Sequence, residues 1–430
     1  MKKLTLVMAL AVCLLVLSVG TVVYAQEAVT LSAWTHDQLY IDYFNSRLEE
    51  WEALHPDIAF TYDFQVNSNT NDAVLTALAA GEEIPDLIGI EQAGFPRFMT
   101  DGIIDTYFVD LTDLIGDRAD EYAEGRWALY SYMGRKYAVE SSLTAFVYYY
   151  QPAIFEAAGV EVPETWEQVL NETGPALAAD GHAFNFATND GSWYSSLFWQ
   201  RGGDIFDEQG NFVFGEEPNR SLAIEVADYA QKAVQAGIFY QVLGGDVWSG
   251  ATIPAAYRDG TLAGMAMPDW WSSCCLKPNV PDMENQWAVA PMPRWEGGGH
   301  ASTVWGGTGW AVSKGEDQDI AWQFLDFMYL GKESQIQRFE SINMFPVNFE
   351  AMADPRVSGL EDPFYGGQPI GEIYAAAGQD IPVWYQSPYR ANWMTQVGND
   401  LPALFDGSLS PEAFVDNAIT ATQNAIDFGA

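Results

Sequence analysis

The sequence predicts an α/β protein of two domains. Three observations lead to that class: strand and helix signals alternate along the chain, the chain is 430 residues long, and no Gly/Ser-rich linker divides it. A chain of that length exceeds one ordinary domain. Alternating strands and helices form βαβ units, in which a parallel sheet carries helices on both faces. Without a linker, the two domains are expected to be joined by several crossings of the chain.

The elements of the first domain follow one another from residue 29. Runs rich in β-branched and aromatic residues predict strands, and apolar residues spaced near 3.6 predict helices. His55, Pro56 and Asp57 end the first helix, and Gly81 ends the second. The predicted elements are a strand at 29–34, a helix at 41–54, a strand at 58–64, a helix at 71–80 and a buried strand at 85–90.

The start of the chain has the pattern of a secretory signal peptide. Two lysines precede an apolar run from residue 4 to 23, and Ala25 is the small residue that signal peptidase needs. We therefore predict that residues 1–25 are removed on export, to the periplasm or the extracellular space. The alternative is an uncleaved anchor, because the run is long enough to span a bilayer. No lipid anchor is expected, because Cys13 lies inside the apolar run and follows a valine.

The chain is strongly acidic. It carries 59 Asp and Glu against 19 Lys and Arg, a formal net charge of −40, and loss of the two N-terminal lysines would make it more negative still. Such a chain repels nucleic acid and anionic membrane surfaces. Hydrophobic residues make up 48 %, so the acids are expected on a folded surface and not in a disordered tail. An acidic surface suits high salt, where self-repulsion is screened, and a saline habitat is one explanation for it.

The sequence carries no motif of a common enzyme class. Its four histidines lack metal-ligand spacing, and it has no Gly-x-Ser-x-Gly turn, Cys–His arrangement or Walker loop. With 59 carboxylates, a pair of acids at glycosidase spacing carries little information. We therefore expect a protein that is not an enzyme and that needs no metal or cofactor. A secreted glycoside hydrolase is the rival from another class.

Five blocks of the chain match, in order, one known family. They are "GRKYAVESSLTAFVYYYQPAIFEAAGVEVPETWEQV" (134–169), "LFWQRGGDIFDEQGNFVF" (197–214), "YRDGTLAGMAMPDWW" (257–271), "WAVAPMPRWEGGGHASTVWGGTGWAVSKG" (287–315) and "AWQFLDFMYLGKESQIQRF" (321–339). By these blocks the chain resembles the extracellular solute-binding proteins of the maltose-binding, carbohydrate-uptake type, the receptors of ABC importers. Two departures, Gln151-Pro152-Ala153 for the family's Asn-Lys-Asp and Gly264 for its common Met, mean that individual contacts cannot be copied wholesale.

The resemblance implies a two-lobed periplasmic-binding-protein fold, each lobe a mixed sheet flanked by helices, with three hinge crossings. Lobe one would comprise residues 26–142 and 292–342, and lobe two residues 143–291 and 343–430. The implied function is a monomeric receptor that binds a neutral saccharide between the lobes and delivers it to the membrane permease subunits of an ABC importer. A binding protein for a non-carbohydrate solute is a further alternative.

The stretch "AGMAMPDWWSSCC" (263–275) carries the strongest site prediction. Trp270 stands where this family stacks a sugar ring, because an indole covers the weakly polar C–H face of a sugar with little loss of rotamer entropy. Asp269 beside it could accept hydrogen bonds from sugar hydroxyls. Adjacent strand residues face opposite ways, so Trp271 is expected behind Trp270 or at the rim. The alternative is a pair of core tryptophans.

Further candidates follow three rules. Ligands of open α/β sheets bind beyond the carboxyl ends of strands, the family presents cleft contacts at several later positions, and the missing side chains of a glycine-rich loop at 305–309 would let a ligand approach the backbone. The strand-end candidates are Trp34, His36, Asp37, Glu91 and Gln92; the family positions are Trp193, Tyr194, Trp384, Tyr389, Arg390 and Trp393; the loop candidates are Trp305 and Gly307. For each of these a position in the core is the alternative. Few lysines and arginines argue against a dianionic ligand, and abundant tryptophan favours a neutral ligand of one to a few rings.

Cys274 and Cys275 are the only cysteines outside the predicted signal peptide. An exported protein meets an oxidising compartment, so two neighbouring thiols tend to pair there. We therefore predict a disulfide between adjacent residues. Two reduced thiols, one of them buried as a small hydrophobe, are the alternative.

Overall fold

The strands within residues 27–429 fall into two main sheets and three short pairs. The computed structural model describes residues 27–429, and the predicted signal peptide lies outside that range. The strands are Glu27–Thr35 (β1), Ile58–Val66 (β2), Leu87–Glu91 (β3), Ser131–Tyr132 (β4), Arg135–Lys136 (β5), Ala138–Glu140 (β6), Phe146–Tyr150 (β7), Asn185–Thr188 (β8), Phe239–Val242 (β9), Gly264–Pro268 (β10), Ala288–Pro291 (β11), Thr308–Val312 (β12), Glu361–Asp362 (β13) and Gln368–Pro369 (β14).

Helices cover most of the remaining chain. The α-helices are Gln38–Leu54 (α1), Thr70–Ala80 (α2), Ile103–Tyr107 (α3), Thr112–Ile115 (α4), Glu124–Ala128 (α5), Pro152–Ala158 (α6), Trp166–Gln168 (α7), Gly174–Ala179 (α8), Gly191–Gln200 (α9), Asn219–Gln235 (α10), Gly244–Val247 (α11), Thr252–Arg258 (α12), Gln318–Tyr329 (α13), Lys332–Ile342 (α14), Phe349–Met352 (α15), Pro355–Ser358 (α16), Ile370–Gly378 (α17), Arg390–Asp406 (α18) and Pro411–Phe428 (α19). Shorter 3-10 turns cover Phe95–Gly102, Gly116–Glu121, Pro281–Met283 and Pro363–Tyr365, and π-helical turns cover Val169–Thr173 and Ser272–Leu276.

The first sheet has the strand order β2-β1-β3-β12-β6. Strand β1 pairs in parallel with β2 and β3, as the alternating sequence predicts, whereas β12 pairs antiparallel with both β3 and β6. The sheet is therefore mixed, which confirms the mixed sheet that the family resemblance implies, whereas alternation alone indicated a parallel sheet. The reason is connectivity: β12 follows β11 of the other sheet, so the chain re-enters from the opposite side.

The second sheet has the order β10-β7-β11, with both outer strands antiparallel to β7, and β8 and β9 form a parallel pair. The chain passes between the two sheets at 141–145 and again at 292–307, and α17 later packs on β7 and β11. This is the two-lobed α/β architecture that the sequence predicts. The exact lobe boundaries at 142, 291 and 342 stay a prediction.

Local capping places the first site residues. Asp37 is the N-cap of α1, where its side chain accepts a hydrogen bond from the main-chain N–H of Leu39 at 2.9 Å. The inner face of α1 is aromatic, and Phe44 packs against Trp310 of β12 with ring centroids 4.7 Å apart. The turn between β1 and α1 is therefore held at the carboxyl end of the sheet. Among residues 27–429, no helix combines the length and apolarity that crossing a bilayer requires.

Candidate functional site

A cavity of about 480 Å³ lies between the two sheets, at the carboxyl ends of β1, β3 and β10. Residues that follow strands of both sheets line it, which is where open α/β sheets bind ligands. Its volume is typical of a small-molecule site. Of the predicted site residues, those on its wall are His36, Asp37, Glu91, Gln92, Trp270, Trp305 and Gly307, together with Cys274 and Cys275.

The polar side of the cavity comes from the first sheet. His36 Nε2 lies 4.0 Å from Glu91 Oε1, and the Asp37 carboxylate sits at the N-terminus of α1. Gln92 is buried, and its main-chain N–H donates to the oxygen of Gly307 at 3.0 Å. These groups offer hydrogen-bond acceptors and donors along one edge of the cavity. None of the described lining residues is a lysine or an arginine.

The opposite side of the cavity is a wall of indoles. Trp270 is half-buried and donates from Nε1 to the main-chain oxygen of Trp305 at 3.0 Å. Trp248 stacks beside Trp270 with ring centroids 6.2 Å apart and an interplanar angle of 27°. Trp248 is 49 % exposed. The cavity thus combines flat apolar surfaces with a polar edge.

Trp270 and Trp271 take the different positions that the sequence predicts for neighbours. Trp271 is buried behind the wall and donates from Nε1 to the hydroxyl of Tyr257 at 3.3 Å. The separation arises in the turn after β10 and not on a strand, because β10 ends at Pro268. The two indoles are therefore separated by the turn after β10, and not by the alternation of side chains along a strand.

At the floor of the cavity, the turn that contains Gly307 packs directly on a buried ion pair. Arg126 Nη2 and Glu140 Oε2 lie 2.6 Å apart, and both side chains are buried. A Cβ on Gly307, which has a φ of +114°, would lie 2.6 Å from the Arg126 guanidinium and 3.0 Å from the Glu140 carboxylate. Only glycine fits this approach. Burial raises the pKa of Glu140, while the Arg126 charge acts against that rise.

Asp269 is close to the cavity but is not on its wall. One carboxylate oxygen accepts from the main-chain N–H of Trp270 at 2.9 Å, and the other has no hydrogen-bond partner among the described residues. Burial raises the pKa of Asp269 to about 7, with Arg126 acting in the opposite direction. Asp269 therefore lies behind the turn that carries Trp270, and not on the cavity wall where the sequence predicted a direct contact with the ligand.

The two cysteines lie on the wall next to Trp270. Cys274 is exposed and Cys275 is half-buried, within the π-helical turn Ser272–Leu276. The structure joins their Sγ atoms in a disulfide.

Three predicted site aromatics belong to the hydrophobic core. Trp193, Tyr194 and Trp393 are buried, and the Tyr194 hydroxyl donates to the main-chain oxygen of Ala223 at 2.6 Å. They lie at the packed faces of α9 and α18, which pack against one another. Packing between these helices buries the three side chains, so they do not line the cavity as predicted.

Trp384 and Arg390 are likewise enclosed. Trp384 stacks on Trp199 with centroids 3.8 Å apart, and the Arg390 guanidinium lies 4.7 Å above the Trp384 ring. Burial lowers the pKa of Arg390 to about 10. Trp34 and Tyr389 are half-buried and do not line the cavity. Because the stacked indoles enclose Arg390, its side chain does not line the cavity, where the sequence predicted it.

Sequence reasoning missed Trp248 as a wall residue. It lies just after α11, in the run Gly-Gly-Asp-Val-Trp-Ser-Gly from 244 to 250. A lone aromatic side chain in a glycine- and serine-rich segment is a weak signal, because a single exposed apolar residue is normal and only a contiguous patch marks a binding surface. Tyr40, Ser142 and Ser192 also line the cavity and carry no comparable signal.

A second cavity, of about 550 Å³, opens beside Trp127, Tyr385 and Glu208. The Trp127 Nε1–H is satisfied by the main-chain oxygen of Ala119 at 3.0 Å. The lining of this cavity takes no residue from either main sheet and brings no predicted site residue to the wall. Within residues 27–429, no group of three or more His, Cys, Asp or Glu is arranged to hold a metal ion.

The two lobes and the cavity between them define a two-lobed binding protein. The chain belongs to the bacterial extracellular solute-binding protein family, whose sequence model matches residues 38–333. One relative, an arabinooligosaccharide-binding protein of Halalkalibacterium halodurans, is 28 % identical over 87 % of this chain and 85 % of its own. A second of that name, from Bacillus subtilis, is 24 % identical over 74 % of this chain and 73 % of its own.

Solved structures share the fold. The galacto-N-biose-/lacto-N-biose I-binding protein of the Bifidobacterium longum ABC transporter, in complex with lacto-N-biose, superposes with a TM-score of 0.71 at 19 % identity, covering 94 % of this chain and 98 % of that one. The ABC transporter associated binding protein of B. animalis subsp. lactis, in complex with β-1,6-galactobiose, gives 0.69 at 21 %, covering 93 % and 97 %.

Proposed function

We propose that this protein is an exported receptor that binds a neutral saccharide in the cavity between its lobes and delivers it to an ABC importer. The observation that carries the proposal is the cavity itself. An indole wall of Trp248, Trp270 and Trp305 faces a polar edge of His36, Asp37 and Glu91 across about 480 Å³. Sugars present the matching surfaces, with C–H faces for the indoles and hydroxyl rims for the polar groups.

The charge of the site favours a neutral ligand. The described wall residues include the carboxylates of Asp37 and Glu91 and no lysine or arginine. A phosphorylated or dianionic sugar would meet repulsion there and would find no bidentate cation. The names of the two arabinooligosaccharide-binding relatives support a saccharide, and so do the saccharides named in the two structural complexes.

Delivery of the saccharide to the importer depends, in this proposal, on closure of the two lobes around it. A ligand stabilises the closed form only by contacting both lobes more fully than it does in the open form. The cavity offers that double contact, since Glu91 ends strand β3 of the first sheet and Trp270 follows strand β10 of the second. In the proposed cycle the closed, monomeric receptor docks on the permease subunits and returns the saccharide unchanged.

A thermal-shift screen tests the proposal. Neutral mono-, di- and trisaccharides, with arabino-oligosaccharides among them, are added to residues 26–430, and hexose phosphates serve as anionic controls. A ligand that binds only the folded state raises the melting temperature by an amount that depends on its concentration relative to Kd. We expect a neutral saccharide to raise it and the phosphates to leave it unchanged.

The same samples separate the receptor from the hydrolase. Chromatography of the saccharide after prolonged incubation should return it intact, whereas a glycoside hydrolase would yield shorter sugars. Cleavage, or a melting temperature unmoved by every saccharide, would contradict the proposed function.

A further inference from the structure

The disulfide between Cys274 and Cys275 forms part of the cavity wall. Both residues line the cavity and follow Trp270 within the same turn. The Cys274 main-chain N–H donates to the oxygen of Trp270 at 3.1 Å, and the Cys275 oxygen accepts from Asn279 Nδ2 at 2.8 Å. The sulfur pair is therefore held beside the indole by one hydrogen bond to the main chain of each cysteine, from Asn279 at Cys275 and to Trp270 at Cys274.

A bonded sulfur pair has a surface chemistry different from that of two thiols or two hydroxyls. It carries no hydrogen to donate, and divalent sulfur is polarisable and makes favourable contacts with flat, weakly polar groups. Two thiols would instead present two S–H donors to the same space. Next to Trp270, the disulfide extends the apolar side of the cavity.

We propose that the Cys274–Cys275 disulfide is a ligand-contacting surface, which packs with Trp270 against the C–H face of the bound saccharide and makes affinity depend on the redox state of the protein. This inference rests on the proposed function. In the oxidising compartment of an exported protein the bond persists, so the exported receptor carries the complete wall.

We expect reduction of the disulfide to lower the affinity for saccharide and to leave the stability of the fold nearly unchanged. The loop closed by two adjacent residues is too short to restrict the unfolded chain, so the bond contributes little to global stability through chain entropy. Reduction replaces the apolar sulfur pair with two thiols and frees the turn that carries Trp270. A loss of ligand affinity at nearly constant melting temperature is therefore the signature of the proposed role.

The experiment compares saccharide affinity by calorimetry in three forms of residues 26–430: oxidised protein, protein reduced with a water-soluble phosphine, and Cys274→Ser/Cys275→Ser. In the reduction, the phosphine becomes its oxide with oxygen from water, and the disulfide takes up two electrons and two protons. We expect the reduced and double-serine forms to bind about tenfold more weakly. The melting temperatures without ligand should stay within a few degrees of one another.

Two controls make the result specific. The phosphine should leave the affinity of the double-serine form unchanged, because that form has no disulfide in residues 26–430. Cys274→Ala/Cys275→Ala restores an apolar surface without a cross-link, and recovery of part of the affinity would support contact over rigidity.

Equal affinity in all three forms would overturn the inference while leaving the proposed function intact. Two thiols alkylated in untreated exported protein, seen by intact mass, would also overturn it. Failure of the oxidised protein to bind any neutral saccharide would instead remove the proposed function, and this inference with it.

Discussion

Gln386 donates a hydrogen bond to the main-chain oxygen of Gln92 beside the cavity. The Nε2–O distance is 2.8 Å, and the same nitrogen lies 3.2 Å from the oxygen of Leu129. The Gln386 side-chain oxygen accepts from Arg390 Nη1 at 2.8 Å. Because Gln92 lines the cavity and Arg390 begins α18, this buried bridge couples the position of α18 to the polar edge of the site.

Gln386→Ala should favour the open form. The substitution removes the hydrogen bonds to Gln92 and Leu129, which cross between the lobes if the predicted boundaries hold and are worth about 0.5–1.5 kcal/mol each. We expect a larger radius of gyration for the ligand-free protein in small-angle scattering, and weaker saccharide binding because the closed form is less populated. Gln396→Ala is the matched control, since Gln396 bonds Asp400 within α18. Identical scattering and affinity in the two variants would show that the bridge does not govern closure.

Trp270→Ala should weaken saccharide binding by about 1–3 kcal/mol, the range of a buried aromatic contact. Trp34→Ala is the control, because Trp34 is half-buried and lies off the cavity wall. Trp270→Phe keeps a ring but loses the hydrogen bond to Trp305, so calorimetry of all three variants separates stacking from that bond. Unchanged affinity in Trp270→Ala would remove this indole from the site.

Asp269 should make the protein less stable as the pH rises from about 4 to about 7. Burial raises its pKa from 3.8 to about 7 in the folded protein. Within that window the native state holds a proton that the unfolded state has released, so stability falls with increasing pH. Asp269→Asn should remove this loss, and the variant should gain roughly 2–4 kcal/mol relative to the wild type between pH 4 and 8.

Melting temperatures of the two proteins across that range provide the measurement. Other carboxyl groups, the Arg126-paired Glu140 included, titrate in both proteins, so the difference between the curves isolates Asp269. Parallel curves would mean that Asp269 titrates near its ordinary value.

Low salt should destabilise the protein. Its formal net charge is −40, and the screening length grows from about 3 Å at 1 M to about 30 Å at 10 mM salt. Repulsion across the acidic surface then increases, and the melting temperature should fall. Sodium and potassium chloride at equal ionic strength should give the same curve if screening is the cause. A melting temperature independent of salt would show that the charge serves solubility alone.

The elements from β1 to β3 could be predicted from the sequence because the patterns that specify them are local. The 3.6-residue spacing of α1, the Gly81 end of α2 and the β-rich runs of β1 to β3 each act within a few residues. The same locality explains why His36, Asp37, Glu91 and Gln92 could be placed at strand ends, where they line the cavity; their contact with a ligand stays a prediction. A strand end is visible in the sequence, and parallel strand ends meet at one edge of a sheet.

What the sequence by itself determined was therefore the class of the fold, the order of its first elements and the polar residues that stand at the strand ends beside the cavity. Only the tertiary structure decided how the aromatic residues divide between core and wall. Trp193 and Trp393 carry the same side chain as Trp270, yet helix packing encloses them, while Trp248 reaches the wall from a distant loop. Burial of an indole depends on neighbours far away in the chain, and no local pattern records them.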